Sequence, residues 1–200
     1  MKSSLIIVSF FLLGTLCGIF HWLPSDITQG NLSFYVLCAL MFCVGISVGN
    51  SPQTLKNFRT LNPRLAFLPL MTIAGTFAGA LVTGAFLPDR SIPECLAIGS
   101  GFGYYSLSSI FISEYKGAEL GTIALLSNIS REIITLLFAP LLVRWFGRLA
   151  PIASGGATTM DTTLPVITRY SGQQFVILSI YHGFVVDFSV PFLVTFFCSL

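Results

Sequence analysis

Five long apolar runs alternate with short polar punctuation along the chain, at about 5–23, 32–49, 64–87, 117–146 and 171–199. A helix needs about 20 apolar residues, within a range of roughly 17–25, to cross a bilayer, so each run predicts a membrane-spanning helix. Turn-forming connectors separate the early runs: Pro24-Ser25-Asp26, Asn50-Ser51-Pro52 and Pro88-Asp89-Arg90. Two further stretches, about 92–113 and 150–168, are too irregular for plain spans. The pattern predicts an all-α integral membrane protein in one transmembrane domain, 1–200. It would be a bundle of about five full helices plus two broken or re-entrant segments.

Composition strengthens this reading. The chain is 54% hydrophobic and only 9% charged over 200 residues, with a mean hydropathy of +0.85; soluble domains average about 25% charged residues. The net charge of +2 comes from scattered basic residues that form no patch, so nucleic acid is not expected as a partner. Cys17, Cys38, Cys43, Cys95 and Cys198 lie in or at the start of apolar segments without metal-ligand spacing, and read as small packing residues. No metal or cofactor is expected. The N-terminal run follows Met1-Lys2 without a small-x-small cleavage site, and Leu16 before Cys17 makes a poor lipoprotein signal. It is therefore read as the first spanning helix. Glycines four apart at Gly14/Gly18, Gly45/Gly49 and Gly75/Gly79 suit close helix approach.

The first irregular stretch runs Glu94-Cys95-Leu96-Ala97-Ile98-Gly99-Ser100-Gly101-Phe102-Gly103-Tyr104-Tyr105-Ser106. Alternate glycines at Gly99, Gly101 and Gly103 interrupt a helix, and a second half-helix can start at Ser106–Ser109. Interrupted backbone at membrane depth survives only where protein or water satisfies it. Secondary transporters build substrate sites from such breaks. A nucleotide loop is not supported, because no P-loop lysine or Rossmann strand accompanies the glycines. The second stretch, Ala150–Pro165, holds Gly155-Gly156, four threonines and Asp161 between two prolines. Both a broken segment lining a polar cavity and a plain surface loop fit it. The basic residues lean toward a re-entrant scheme. If 92–113 does not cross, seven basic residues share the cytoplasmic side against Arg90 and Lys116 outside; if it crosses and 150–168 does not, the split is five to four.

Charges within the spans are few and costly. A carboxylate at mid-membrane costs roughly 2.5–3.5 kcal/mol on insertion scales, and such groups commonly serve ions, protons or charged substrates. Asn128, Arg131, Glu132 and Thr135 recur at helical spacing and predict one polar stripe, extended by Gly121, Ala124 and Ala139. Leu125, Ile129, Ile133 and Leu136 are assigned to the opposite face. Glu132 reads either as a proton- or cation-handling group or as half of a structural ion pair. Arg131 reads as a structural or tuning charge. Asp161 sits among threonines able to hydrogen-bond it, and is either a proton-exchanging carboxyl or a turn cap. In the last helix Asp187 must face protein or water and stays open between function and structure. For His182, five residues away, the structural role is favoured. No Ser/His/Asp arrangement appears, so a carrier rather than an enzyme is expected.

At these residues the chain resembles the bacterial lysine exporter family (LysO type). The resemblance rests on GSGFGYYSLSS (99–109), ELGTIALLSNISREIITLLFAPLL (119–142) and SGGATTMDTTLP (154–165). These motifs cover roughly the C-terminal half; the first three helices fit in pattern only. The resemblance implies an inner-membrane carrier exporting L-lysine and toxic lysine analogues, with the family's intramembrane acidic pair on Glu132 and Asp161. Beside that pair, the polar stripe and the last helix make Asn128, Arg131 and Asp187 the expected substrate or proton contacts, and the glycine spacing places broken-helix backbone at Gly99, Gly101, Gly103, Gly155 and Gly156. Typical members carry a further N-terminal membrane module. A separate small membrane polypeptide or an oligomer is accordingly expected to supply it. No ATPase domain is apparent, so lysine/proton antiport is the expected mechanism. A cation/proton antiporter and a non-transporting membrane subunit are the competing classes.

Overall fold

In the computed structural model, residues 63–200 are described continuously, together with Leu13, Leu16, Cys17, Ile19, Phe20 and Tyr35. The runs expected near 5–23 and 32–49 therefore lie almost wholly outside the described residues. The described chain is helical: α1 (Pro63–Ala66), α2 (Leu68–Phe86), α3 (Ile92–Gly99), α4 (Tyr105–Lys116), α5 (Ala118–Phe146), α6 (Ala150–Gly155), α7 (Leu164–Tyr170) and α8 (Val176–Cys198). Short 3-10 turns, Gly156–Met160 and Gln173–Phe175, precede α7 and α8. Three stretches are long and apolar enough to cross a membrane: Arg64–Phe86, Ala118–Phe146 and Gln173–Cys198. These coincide with the last three predicted runs.

Both irregular stretches are interrupted helices, each for a local reason. Ser91 caps α3 by accepting from the Glu94 N–H at 3.4 Å, while the Glu94 carboxylate accepts from the Ser91 N–H at 2.9 Å. This reciprocal capping box starts a helix firmly, and Pro93 suits its first turn. Gly99 is the last residue of α3 rather than part of the break. The turn that follows holds Phe102 at φ 45° and Gly103 at φ 93°. In the second stretch α6 ends at Gly155, and Gly156 takes φ 61° at the junction with the 3-10 turn.

The two interruptions lie against each other. The Ala157 N–H donates to the Phe102 carbonyl at 3.0 Å. A Cβ on Gly156 would strike that same carbonyl, and one on Gly103 would come 3.2 Å from the Gly155 carbonyl. Only glycine permits this crossing of backbones. The core forms around it: Phe102, Ala97, Leu107 and Ile112 pack with Leu120 and Ala124 of α5 and with Val186, Val190 and Val194 of α8.

Contacts also fix where each stretch begins and ends. Arg90, before α3, pairs with Glu119 at the start of α5, and Gly117 alone joins α4 to α5. Both ends of 92–116 therefore sit at one end of the bundle. At the other end, Ile152, Ile167 and Leu178 cluster with Leu65, Leu149 and Phe175, and the Tyr181 hydroxyl donates to the Ala66 carbonyl at 3.3 Å. Both ends of 150–170 lie there.

Two expectations change. Leu125 is buried with Asn128 and Glu132; lying three residues before Asn128, it shares that face and not the opposite one. Ile133 does point outward, as do Leu126, Ile134 and Leu137. Among the described residues, a Cβ on Gly75 or Gly79 would meet nothing within 4 Å. That glycine pair makes no close approach there, and Gly14/Gly18 and Gly45/Gly49 lie outside the described residues. The tight contacts fall at glycines outside the repeat. A Cβ on Gly121 would strike Ser113, and one on Gly183 would come 2.7 Å from the Met160 nitrogen.

Candidate functional site

The site grows from the middle of α5. At 1.5 Å per residue, Asn128 lies about 15 Å, and Glu132 about 21 Å, along a helix of about 43 Å. Asn128 is buried and staples the first break to α5. Its Oδ1 accepts from the Gly103 N–H at 2.7 Å, and its Nδ2 donates to the carbonyls of Ile98 (3.2 Å) and Ala124 (2.9 Å). One side chain thus satisfies backbone groups that the interruption leaves without helical partners. Gly101 is needed beside it, since a Cβ there would come 2.5 Å from Asn128 Nδ2.

Arg131 reaches the second break. Its Nε donates to the Ser154 carbonyl at 2.8 Å and Nη2 to the Ala153 carbonyl at 3.0 Å, at the C-terminal end of α6. Nη1 donates to Thr76 Oγ1 at 3.2 Å, and the guanidinium stands 5.8 Å from the centre of the Phe102 ring. Thr135 adds a hydroxyl contact of 2.7 Å to Ser154. Asn128, Arg131 and Thr135 therefore bind the two interruptions to one helix.

Glu132 is 4% exposed and Asp187 7% exposed, and each keeps one carboxylate oxygen, Oε1 and Oδ1 respectively, without a hydrogen-bond partner among the described residues. Asp161, on the second break, is exposed and lies within electrostatic reach of both. The Thr162 backbone N–H donates to its Oδ1, and the Thr162 side chain stands beside Glu132. Pro191 has no N–H to offer the Asp187 carbonyl one turn back, which keeps this part of α8 polar. Among the described residues no lysine or arginine forms an ion pair with Glu132, Asp161 or Asp187. Among the described residues no group of three or more His, Cys, Asp or Glu side chains could hold a metal ion.

Of the residues singled out from sequence, the fold gathers Asn128, Arg131, Glu132, Asp161, Asp187, Gly101, Gly103, Gly155 and Gly156 around the crossing. Gly99 instead packs α3 on α2, 3.4 Å from the Ala80 side chain by its would-be Cβ. His182 is fully buried and held by Thr72 (2.9 Å) and Thr159 (3.2 Å), a link between α2, the 3-10 turn and α8. Sequence reading passed over Thr76 and Ser154, which carry no local signal because their partners are distant in the chain; Thr162 is one of the threonines expected to hydrogen-bond Asp161, and its backbone N–H does so.

A cleft of about 270 Å³ opens between α2, α3 and α5. Thr76, Thr83, Leu87, Ser127, Asn128 and Arg131 are among its lining residues. It runs from Leu87, beyond the end of α2, to Arg131 near the middle of α5.

The family profile described as "Lysine exporter LysO" matches residues 8–198. The chain belongs to that family. The match reaches back through the first apolar runs, further than the motifs that first suggested it. The lysine exporter LysO of Escherichia coli (strain K12) is 39% identical over 167 residues, which make up 84% of this chain and 55% of that relative. The putative lysine exporter of Haemophilus influenzae is 34% identical over 195 residues, 96% of this chain and 97% of that relative. The chain thus spans about half the length of one curated relative and nearly all of the other. No solved structure matches the chain. Family membership and the apolar helices make it a multi-pass protein of the bacterial inner membrane.

Proposed function

We propose that the chain is an ion-coupled carrier that exports L-lysine, with protons moving in the opposite direction and the acidic set serving both cargoes. The observation that carries this reading is the pair of buried, unpartnered carboxylate oxygens on Glu132 and Asp187. An uncompensated buried carboxylate is expensive, so a group held this way binds a proton or a cation when it works. A lysine side chain ends in an ammonium with three donors, which suits oxygens left free. The names of the two relatives supply lysine as the cargo.

The arrangement of the breaks supports a carrier rather than a scaffold. Arg90–Glu119 holds both ends of 92–116 at one end of the bundle, and the Leu65–Leu149–Phe175 cluster holds both ends of 150–170 at the other. In the membrane these are two re-entrant hairpins from opposite faces, meeting at mid-depth through Phe102 and Ala157. The units α2–α3–α4 and α5–α6–α7 then share one plan, a span followed by a re-entrant hairpin, in inverted orientation. Inverted repeats with interrupted helices at the midplane are a common basis for alternating access.

Export of a monocation against an inside-negative potential costs about 2.3 kcal/mol per 100 mV. Exchange for a proton moving inward supplies that work, and a carboxylate that holds either a proton or an ammonium, but not both, enforces the exchange. The test uses cells that lack the chain and are challenged with a toxic lysine analogue. Reintroducing the wild-type chain should restore growth. Glu132→Gln and Asp187→Asn, expressed to equal level in the membrane, should not. Full protection by both variants would sink the reading. Sodium or potassium flux without lysine would reassign the chain to cation/proton exchange.

A further inference from the structure

We propose that the cleft between α2, α3 and α5 receives the carboxylate of a zwitterionic amino acid on Arg131, so that selection is made at both ends of the cargo. This rests on the lysine-carrier reading and adds to it a second recognition point, separate from the acidic set. A guanidinium has five N–H donors. Arg131 spends three of them, on Ser154, Ala153 and Thr76. Among the described residues one N–H on each terminal nitrogen has no partner, and a guanidinium can offer such a pair to the two oxygens of a carboxylate. No acidic side chain pairs with Arg131 among the described residues. A cation deep in a membrane protein without an anion is as costly as the converse, and an incoming carboxylate would relieve it.

The cavity fits the assignment. Its volume of about 270 Å³ lies just below the roughly 300–1,000 Å³ of drug-sized sites, so it suits an amino acid. Leu87, Ala80, Ile98 and Ile123 offer apolar wall for a methylene chain, while Ser127 and Asn128 offer polar contacts beside Arg131. Asn128 precedes Glu132 by one helical turn on the same face. Arg131 lines the cleft and Glu132 follows it directly in α5, so the two charge types lie on neighbouring sides of one helix. A molecule with a carboxylate at one end and an ammonium at the other meets both; a plain diamine meets only one.

The test compares L-lysine with 1,5-diaminopentane, which is lysine without its carboxylate, in proteoliposomes of the full chain. Wild-type protein should prefer lysine by roughly 10- to 100-fold, the range expected for a hydrogen-bonded charged contact. Arg131→Gln should lower lysine transport at least tenfold more than it lowers diamine transport, so that the preference is erased whatever the loss common to both, and Arg131→Lys should restore part of it. Ser127→Trp, which fills the cleft without touching the α6 clamp, should also lower lysine transport at least tenfold, and it decides the matter if Arg131→Gln does not fold. Equal loss for both compounds in Arg131→Gln would make Arg131 a structural clamp and overturn the inference. So would equal wild-type handling of the two compounds, or normal lysine transport by Ser127→Trp; in these cases the carrier reading stands. If wild-type protein moves neither compound, the carrier reading falls and this inference falls with it.

Discussion

At the scale of single residues, the chain separates charges that hold the fold from charges that await a partner. Arg131 makes three hydrogen bonds across the breaks, whereas its neighbour Glu132 keeps a buried oxygen free. Adjacent residues on a helix point about 100° apart, and this separates the clamp from the acidic set. Gly156 is the tightest point of the crossing, with positive φ and the Phe102 carbonyl where a Cβ would be. Gly156→Ala is expected to destabilise the protein by at least about 1–3 kcal/mol, the strain typical of such backbone. A fall in detergent melting temperature would register it, and Gly75→Ala, facing open space among the described residues, should melt with wild type. His182→Ala should also lower the melting temperature, because it empties a fully buried site and releases Thr72 from its partner; unchanged melting would contradict the linking role given to this ring.

At the scale of elements, the breaks depend on side chains that replace lost helical hydrogen bonds. Asn128 serves Gly103, Ile98 and Ala124 together. Asn128→Leu leaves the Gly103 N–H buried without an acceptor, a loss of about 1–3 kcal/mol. Asn128→Asp keeps that acceptor while losing the two donated bonds. Melting should therefore rank wild type above Asn128→Asp and Asn128→Asp above Asn128→Leu, and equal melting of all three would show that the break is held by other contacts.

The last three spans were legible in sequence almost to the residue, because uniform apolar runs leave helix as the only way to satisfy the backbone in lipid. The interruption at Gly101–Gly103 was legible from glycine spacing, and the polar stripe from helical periodicity. Leu125 was misassigned because a bundle helix buries more than its polar stripe. The partnership of Arg131 with Thr76, 55 residues away, was not legible, since nothing local encodes a contact made only when α2 and α5 pack. For the same reason the Gly75/Gly79 spacing permits close approach without saying which surface will come; among the described residues none does.

At the scale of the whole molecule, the proposed entry of the two hairpins from opposite faces predicts an accessibility pattern. In a variant freed of its native cysteines, Ser91→Cys and Lys116→Cys should both react with an impermeant thiol reagent from one side of the membrane. Arg148→Cys and Gln174→Cys should react only from the other. Labelling of Ser91→Cys and Lys116→Cys from opposite sides would make 92–116 a crossing segment and remove the inverted repeat.

The central claim, that buried carboxylates exchange lysine for protons, is tested most directly by measuring both fluxes at once. Proteoliposomes loaded with lysine and a pH-sensitive dye should acidify inside as lysine leaves, and the Glu132→Gln protein should show neither movement. Lysine efflux with no change in internal pH, or coupled exchange at the wild-type rate in Glu132→Gln, would contradict it.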